Sequence, residues 1–280
     1  MRAWCASGSG ARHYGKLTRY PLASALDPIR TRRYGAPAVP LMEDLGAAVG
    51  SLTVFKRAAR SARLESLAAG LAWYPVVGLV QGLAAAGVAW LLSSGPAGVL
   101  VLLALGGGRA PYALAAAAEA ALRARDGSAT LARLRATPGW AGWAVAAAAV
   151  AMRLWAAAIL PAPARTAALV LAPMLGAWAI VVQCYGGAPT QARGRAREVI
   201  GRARFREFGW ASLLGFGVTL GIGEAIGLVV LLAAALTTLT VRILAHRRLG
   251  GLTGRLLAAT RELVETTVLV TLAILWRLRP

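Results

Sequence analysis

Residues 71–92, LAWYPVVGLVQGLAAAGVAWLL, form an apolar stretch without a charged residue. About 20 apolar residues are enough for an α-helix to cross the hydrocarbon core of a bilayer, so this stretch predicts a membrane span. Similar apolar runs follow at 96–122, 140–160, 166–185, 208–222, 225–241 and 257–276. The chain is 58% hydrophobic, with a mean hydropathy of +0.61. These features predict an all-α, polytopic helical membrane protein with about six to seven membrane helices.

The charged residues lie between the apolar runs and give a net charge of +20. By the positive-inside rule, we expect the basic segments 30–33, 56–63, 123–135, 193–206 and 242–255 to be cytoplasmic. Segments 93–95, 161–165 and 221–224 are short and nearly uncharged, so we expect them on the outside. Arg277 and Arg279 break this alternation. The last helix is therefore either a span that violates the charge rule or a re-entrant or interfacial helix.

The basic residues suggest two classes of partner, nucleic acid and anionic lipid. The sequence contains no nucleic-acid-binding motif, and its basic residues flank apolar runs. We therefore expect the loops to contact anionic lipid, and we expect no nucleic acid partner.

Two N-terminal segments differ from the apolar runs. Residues 1–41 are basic, rich in Gly, Pro and Ser, and lack a helical period, which predicts a disordered extension. Met42 is an alternative first residue, because an amphipathic segment begins directly after it. That segment, 43–68, contains a basic cluster at 56–63 and predicts an interfacial helix. Residues 42–280 would then form a single helical membrane domain.

The run 96–122 is interrupted by GGGRAP at 106–111. Broken backbone at membrane depth is tolerated only where it is buried in protein or lines a wet cavity. Glu119 follows inside the apolar helix, and an acid within a membrane segment is a functional candidate. Alternatively, Glu119 pairs with Arg123 one helical turn later.

Two further stretches carry groups that suit phosphate. The basic loop 123–142 contains Arg135, and arginine forks match phosphate oxygens, although a loop resting on anionic lipid is an equal alternative. The turn LGGLTG at 249–254 precedes a helix, where backbone N–H groups can hold phosphate. Its candidate phosphate-binding residues are Gly250, Gly251, Thr253 and Gly254.

The helix after this turn gathers two of the chain's few acids. Glu262 and Glu265 lie one turn apart on one face, where their carboxylates could hold a metal ion. They could equally neutralise Arg261 and the loop arginines. Arg255 adds a positive charge between the turn and the acids.

In this order, these stretches resemble the cobalamin synthase family (adenosylcobinamide-GDP ribazoletransferases) over about residues 43–275. The similar segments are SLTVF at 51–55, WYPVVGLVQG at 73–82, LAPMLGAWAIVV at 171–182 and LGGLTGRLLAATRELVE at 249–265. The last resembles the family's Gly-Gly-x-Thr-Gly-Asp…Glu-x-x-Glu and is the most specific. The resemblance implies a bacterial inner-membrane enzyme in which α-ribazole, or its phosphate, attacks adenosylcobinamide-GDP and GMP leaves. Mg²⁺ is the implied cofactor, and corrinoid substrates or corrinoid-pathway membrane proteins are the implied partners.

The chain departs from the family pattern at its aspartates. The three aspartates of the family's central motif fall on Tyr112, Ala116 and Glu119, and the aspartate after Thr-Gly falls on Arg255. An arginine of a further family segment is kept as Arg135, whereas its neighbouring aspartate is lost. The catalytic candidates are then Glu119, Arg135 and Arg255, and the metal candidates are Glu119, Glu262 and Glu265.

Three functions follow as hypotheses. The first is a divergent, Mg²⁺-dependent ribazoletransferase. The second is a catalytically inactive paralogue that acts as a membrane scaffold or corrinoid-binding partner, because the central aspartates are lost. The third is an unrelated small-molecule transporter, which the broken helix at 106–111 would suit.

Overall fold

A computed structural model describes residues 41–55, 64–124, 126–190, 195–201 and 203–278. The predictions for 1–40, 56–63 and 191–194 lie outside the described residues. Within them the chain is helical, and the one β-type pairing is an isolated bridge between Pro189 and Leu252. The helices are α1 (Leu41–Leu52), α2 (Leu64–Ala69), α3 (Tyr74–Leu91), α4 (Gly95–Gly106), α5 (Arg109–Arg123), α6 (Gly127–Arg135), α7 (Trp140–Ile159), α8 (Ala162–Cys184), α9 (Arg195–Ile200), α10 (Phe205–Leu249) and α11 (Gly254–Arg277). The all-α prediction is confirmed.

The apolar helices make the chain a polytopic membrane protein. Among the described residues, four segments are long and apolar enough to cross a membrane: Leu67–Leu91, Trp140–Ile159, Ala162–Cys184 and Ala225–Leu249. A fifth span results if α4 and α5 are taken together. The predicted six to seven membrane helices are reached only when α11 and the first part of α10 are included.

The predicted break at 106–111 is confirmed. α4 ends at Gly106, α5 begins at Arg109, and the two helices are bent by 82°. The φ angles of Gly107 and Gly108 are 61° and 65°, a left-handed conformation that glycine adopts without a clash at Cβ. The bend lies beside the end of α1, where the backbone N–H of Val54 donates to the carbonyl of Leu105 in α4 at 2.9 Å and Arg109 of α5 donates to the carbonyl of Thr53 at 2.6 Å.

The chain reverses direction inside α10, although its backbone is helical from Phe205 to Leu249. The ring of Phe208 stacks on Tyr185 with the centroids 4.6 Å apart, and Arg242 donates to the carbonyl of Tyr185 at 3.1 Å. In a straight helix Phe208 and Arg242 would lie about 51 Å apart, so they could not share this neighbour. A Cβ on Gly227 would lie 2.4 Å from the carbonyl oxygen of Thr219. The two apolar runs predicted at 208–222 and 225–241 therefore lie antiparallel, joined by a tight helical turn.

We call the end of the bundle that carries α6, the start of α10 and residues 242–255 the basic end. α11 starts there and continues for 24 residues, about 36 Å, which exceeds the 30 Å or so of a bilayer core. At its far end, the guanidinium of Arg277 lies 5.7 Å from the centroid of the Trp155 ring, close to the end of α7. α11 thus extends along the whole bundle, and the alternatives for how this last helix lies in the membrane stay predictions.

The core of the bundle is built around α8. This helix packs against α3, α10 and α11, and most of its residues from Ala168 onward are buried. Close contact with α3 depends on two glycines. A Cβ on Gly78 would lie 2.4 Å from the carbonyl oxygen of Pro173, and one on Gly82 would lie 2.7 Å from that of Val170. Small residues of this kind let membrane helices approach closely.

The single interfacial helix predicted at 43–68 is wrong, because two separate helices, α1 and α2, lie in this part of the chain. α1 ends at Leu52, and the hydroxyl of Thr53 donates back to the carbonyl of Val49 at 2.7 Å. Ala47 and Ala48 are buried rather than facing lipid. The carbonyls that α1 leaves free at this end accept hydrogen bonds from arginines of other helices, as described below.

Candidate functional site

A cleft opens between α1, α5, α7 and α11, close to the basic end. Its inner cavity of about 180 Å³ is lined by charged residues of α5, α7 and α11, including Arg109, Arg153, Arg261, Glu262 and Glu265. An outer cavity of about 420 Å³ is lined by residues that include Tyr112, Trp143 and Arg255. Arg109, Gly108, Gly254 and Ala258 line both cavities, so the two form one continuous cleft.

The acids of α11 lie at the inner end of this cleft and are held by Arg153 of α7. Nη1 of Arg153 donates to Oε1 of Glu262 at 2.6 Å, and its Nη2 donates to Oε2 of Glu265 at 2.8 Å. All three side chains are at most 4% exposed. One guanidinium fork therefore binds two carboxylates one helical turn apart, a geometry that arginine supports and lysine does not.

Arg261 binds the same acids from the other side. Its Nε donates to Oε1 of Glu265 at 2.6 Å. Its Nη2 donates to Oε1 of Gln81 at 2.7 Å, and its Nη1 donates to the carbonyl of Leu52 at 3.1 Å. The network therefore connects α1, α3, α7 and α11. Two arginines face two glutamates, so the charges within this network balance, as buried ions require.

The outer cavity carries positive charge without acids. Arg109 donates to the carbonyls of Ser51 at 3.3 Å and Thr53 at 2.6 Å. Arg255 donates to the carbonyls of Leu134 and Ala136. These partners are neutral, and neither arginine forms an ion pair within the described part of the chain.

Aromatic rings complete the outer cavity. The guanidinium of Arg255 lies 5.5 Å from the centroid of the Tyr112 ring, within the range of a cation–π interaction. The ring of Tyr112 meets that of Trp143 in a T-shaped pair with centroids 5.9 Å apart. The outer cavity thus combines cationic donors with apolar ring surface, a combination that suits an anionic ligand with a planar or apolar part.

One family model matches the chain, described as CobS, cobalamin-5-phosphate synthase, over residues 44–273. The chain belongs to this family. No curated protein and no solved structure matches it. The match confirms the resemblance predicted from the sequence and covers every residue of the cleft.

The predicted metal set of the CobS-family chain is not assembled. Glu119 lies on α5, where its Oε1 pairs with Nε of Arg123 at 3.0 Å and its Oε2 accepts the N–H of Gly142 at 2.8 Å. This confirms the pairing with Arg123 that was the alternative for Glu119. Glu262 and Glu265 are engaged by arginines. Within the described residues, no three His, Cys, Asp or Glu side chains lie close enough together to hold a metal ion.

The residues present therefore do not fit the magnesium ion that the CobS family implies. A magnesium ion is bound through carboxylates, phosphates and water in octahedral geometry. Here the carboxylates of Glu262 and Glu265 already bind guanidinium groups, and a dication placed beside Arg153 and Arg261 would be repelled. The outer cavity offers arginines and aromatic rings in place of acids.

The glycine-rich turn meets the cleft at one position. Gly254 lines both cavities. Thr253 caps α11, with its hydroxyl accepting the N–H of Leu256 at 3.3 Å. Gly250 ends α10 with a φ of 68°, and a Cβ on Gly251 would lie 2.4 Å from the carbonyl of Ala188. These three residues have visible structural roles, and their phosphate-binding role stays a prediction.

Arg135 lies at the end of α6 and is exposed. The backbone on either side of it, at Leu134 and Ala136, provides the carbonyls that hold Arg255. The segment around Arg135 therefore reaches the cleft through its main chain. A catalytic role for the Arg135 side chain stays a prediction.

The sequence-based candidates did not include the cleft residues Arg153 and Arg109, or Gln81, which the buried network contains. Arg153 could have been found, because it lies in the middle of the apolar run 140–160, and an ionisable residue inside a membrane segment is a functional candidate. Gln81 is a weaker signal of the same kind within 71–92. Arg109 follows the triple glycine, but only the fold shows that it faces α1.

Proposed function

We propose that the chain, which belongs to a family of cobalamin biosynthesis, joins α-ribazole, or its phosphate, to adenosylcobinamide-GDP. A ribazole hydroxyl oxygen forms a bond to the phosphorus that is attached to the cobinamide, the bond from this phosphorus to the bridging oxygen breaks, and GMP leaves with that oxygen. The hydroxyl proton passes to solvent or to the leaving phosphate.

The observation that carries this proposal is the pair of uncompensated arginines in the outer cavity. Arg109 and Arg255 are anchored by neutral carbonyls, so their full charge is directed at whatever enters the cleft. Guanidinium groups bind phosphate oxygens by charge-assisted hydrogen bonds and stabilise the charge that develops during phosphoryl transfer. In the proposed reaction they hold the diphosphate and stabilise the departing GMP.

The inner network would position these groups without touching the reacting atoms. The fork of Arg153 holds Glu262 and Glu265, and Arg261 connects them to α1 and α3. The network therefore fixes α11, which carries Arg255, against α7 and the end of α1. A catalytic constellation depends on this kind of support, because small displacements of the reacting groups lower the rate strongly.

A second function, binding without catalysis, is favoured by a different observation. The residues that line the outer cavity include no carboxylate and no histidine. A carboxylate or imidazole base for the attacking hydroxyl is therefore missing from this lining, and such a base usually contributes about 10²–10⁴. A corrinoid-binding membrane partner of the biosynthetic enzymes would need no such base.

GMP release distinguishes the two functions. Purified full-length chain would be incubated with adenosylcobinamide-GDP and α-ribazole, with Mg²⁺ or with EDTA, and GMP would be measured by chromatography. Release above a no-protein control in either buffer supports the transferase. Arg133→Gln, which removes one exposed arginine of α6 outside the cleft, is the matched control for any cleft variant. No release in either buffer, together with retained corrinoid binding, would reject the transferase and favour the binding partner.

The expected orientation completes the proposal. The basic end carries most of the charge of the described loops, and positively charged loops favour the cytoplasmic face of an inner membrane. The cleft opens near this end, so its ligands would arrive from the cytoplasm. Anionic lipid is the expected neighbour of the exposed arginines of α6.

A further inference from the structure

The charges that line the cleft do not balance. In the inner cavity, Arg153 and Arg261 face Glu262 and Glu265. Arg109 and Arg255 add two positive charges, and among the described residues neither has an acid within ion-pair distance. Charges that are partly removed from water are costly unless an opposite charge is near. The cleft therefore has an excess of two positive charges, which favours an anionic ligand.

The free donors of the two arginines are available to such an anion. Both hydrogen bonds of Arg255 use Nη1, which leaves Nε and Nη2 without a partner in the described part of the chain. Arg109 uses Nη1 and Nη2 for carbonyls of α1 and retains Nε. The carbonyl anchors fix the position of each guanidinium and leave its charge intact, so little entropy is lost when an anion binds.

The positions of two replaced acids meet in this cleft. The family resemblance implies aspartates at the positions of Tyr112 and Arg255, which are far apart in the chain. In the structure the guanidinium of Arg255 lies 5.5 Å from the centre of the Tyr112 ring. A cationic side chain thus stands among the positions from which the family's acids would hold a metal ion.

We propose that this cleft binds a phosphate group directly through Arg109 and Arg255, without a metal ion. The guanidinium groups of these two arginines take the place of a metal ion and of the acids that would hold it. The proposal rests on the proposed function for the identity of the molecule that carries the phosphate. Its chemistry, a phosphate held by two fixed guanidinium groups, follows from the cleft alone.

Binding can be measured without turnover. The full chain would be reconstituted in nanodiscs of phosphatidylcholine and titrated with inorganic pyrophosphate, with calorimetry as the readout. One titration would contain EDTA and the other excess MgCl₂. We expect dissociation constants that agree within about threefold for free pyrophosphate. Arg109→Gln and Arg255→Gln are each expected to weaken binding by about tenfold or more, because each removes a charged hydrogen-bond donor. Arg133→Gln should bind like the unmodified chain.

Two results would overturn the proposal. One is binding that disappears in EDTA and returns with MgCl₂, which would show that a metal ion holds the phosphate. The other is unchanged affinity in both Arg109→Gln and Arg255→Gln, with Tyr112 and Trp143 intact. Circular dichroism of each variant shows whether the helices are kept. If Arg255→Gln does not fold, Arg255→Lys keeps the charge and should retain part of the affinity.

The phosphate could belong to a soluble ligand or to a lipid headgroup. The titration would be repeated in nanodiscs that contain phosphatidylglycerol. If the affinity for pyrophosphate is unchanged, the site takes a soluble phosphate. If phosphatidylglycerol competes with pyrophosphate and this competition is lost in Arg255→Gln, the site takes a lipid headgroup. Both outcomes support a metal-free phosphate site. Metal-free pyrophosphate binding without GMP release would reject the transferase and keep this inference. GMP release together with pyrophosphate binding that disappears in EDTA would keep the transferase and reject the inference.

Discussion

The guanidinium of Arg255 stacks over the ring of Tyr112, with 5.5 Å between the central guanidinium carbon and the ring centroid. The two residues belong to α11 and α5, the helices on either side of the outer cavity. Each occupies a position at which the family resemblance expects an aspartate. The two replacements are therefore neighbours in space. Acids at both positions would repel each other without a cation, whereas arginine and tyrosine attract each other.

Two glycines of α3, Gly78 and Gly87, provide a test of the contact between α3 and α8. Gly78→Ala would place a Cβ 2.4 Å from the carbonyl oxygen of Pro173, so the two helices would have to separate. We expect a loss of about 1–3 kcal/mol, the usual cost of overpacking. Gly87→Ala is the control, because nothing lies within 4 Å of its added Cβ. Thermal unfolding in detergent would measure both, and equal melting temperatures would contradict the packing described for α8.

The sequence predicted the helices well because membrane spans are long and uniformly apolar. The runs at 71–92, 140–160 and 166–185 correspond closely to α3, α7 and α8. The sequence predicted α1 and α2 as one helix, because the end of α1 at Leu52 is stabilised by an arginine that is distant in sequence. Composition cannot show that the carbonyl of Leu52 accepts from Arg261.

The candidate site was predicted less completely than the fold. Glu262 and Glu265 were found from their spacing, but their partner Arg153 comes from another helix, and only the packing of α7 against α11 brings it there. The pairing of Glu119 with Arg123 was predictable, because it is local. The same local reasoning could not show that Glu119 also accepts the N–H of Gly142.

The buried network should be sensitive to the loss of Arg153. Arg153→Met removes both hydrogen bonds of the fork and leaves Glu262 buried without its ion-pair partner. We expect a loss of about 3–5 kcal/mol, which is typical when one member of a buried ion pair is removed. Unfolding in increasing SDS, followed by tryptophan fluorescence, would measure it.

A double variant separates the charge of Arg153 from its packing. Adding Glu262→Gln to Arg153→Met neutralises the orphaned carboxylate, so part of the lost stability should return. The stability of Arg153→Lys should lie between that of the unmodified chain and that of Arg153→Met, because an ammonium keeps the charge but lacks the planar fork that binds two carboxylates. If the double variant is less stable than Arg153→Met, the loss comes from packing rather than from unpaired charge.

Glu119 has a structural role that two substitutions can resolve. Glu119→Gln loses the ion pair with the partly exposed Arg123 but retains an oxygen for the N–H of Gly142, so the loss should be below about 1 kcal/mol. Glu119→Ala removes the acceptor from a buried N–H and should cost about 1–3 kcal/mol. Melting temperatures would show the difference. Loss of pyrophosphate binding in Glu119→Gln at unchanged stability would instead favour a functional role for Glu119.

The reversal inside α10 predicts which residues lie on opposite sides of the membrane. Ser128 lies on α6 at the basic end, whereas Gly221 lies in the tight turn at the other end, and both are exposed. Single cysteines at these positions should react with a membrane-impermeant maleimide from opposite sides of sealed vesicles. Cys5 would be replaced by serine in this background, and Cys184 is buried. Reaction of both cysteines from the same side would rule out the antiparallel arrangement.

Restoring the family's acids tests whether the cleft still has the geometry of a metal site. The triple variant Tyr112→Asp, Ala116→Asp and Arg255→Asp places carboxylates on α5 and at the start of α11, two of them, at 112 and 255, at positions that line the outer cavity. We expect it to bind Mg²⁺, and at a hundredfold excess over the dissociation constant the stabilisation would be about 2.7 kcal/mol. For a domain of this size that corresponds to a rise in melting temperature of roughly 5–10 °C. The unmodified chain should show no such rise, because its acids are engaged by arginines.

The matched control for this triple variant carries asparagine at the same three positions. Asparagine has nearly the shape of aspartate and lacks its charge, so the control removes Tyr112 and Arg255 without creating a metal site. A Mg²⁺-dependent rise in the aspartate variant alone would show that charge, and not backbone geometry, separates this chain from a metal-binding cleft. A rise in both variants would mean that Mg²⁺ binds elsewhere. No rise in a folded aspartate variant would mean that the replacement of these acids was accompanied by a change in how α5 and α11 pack.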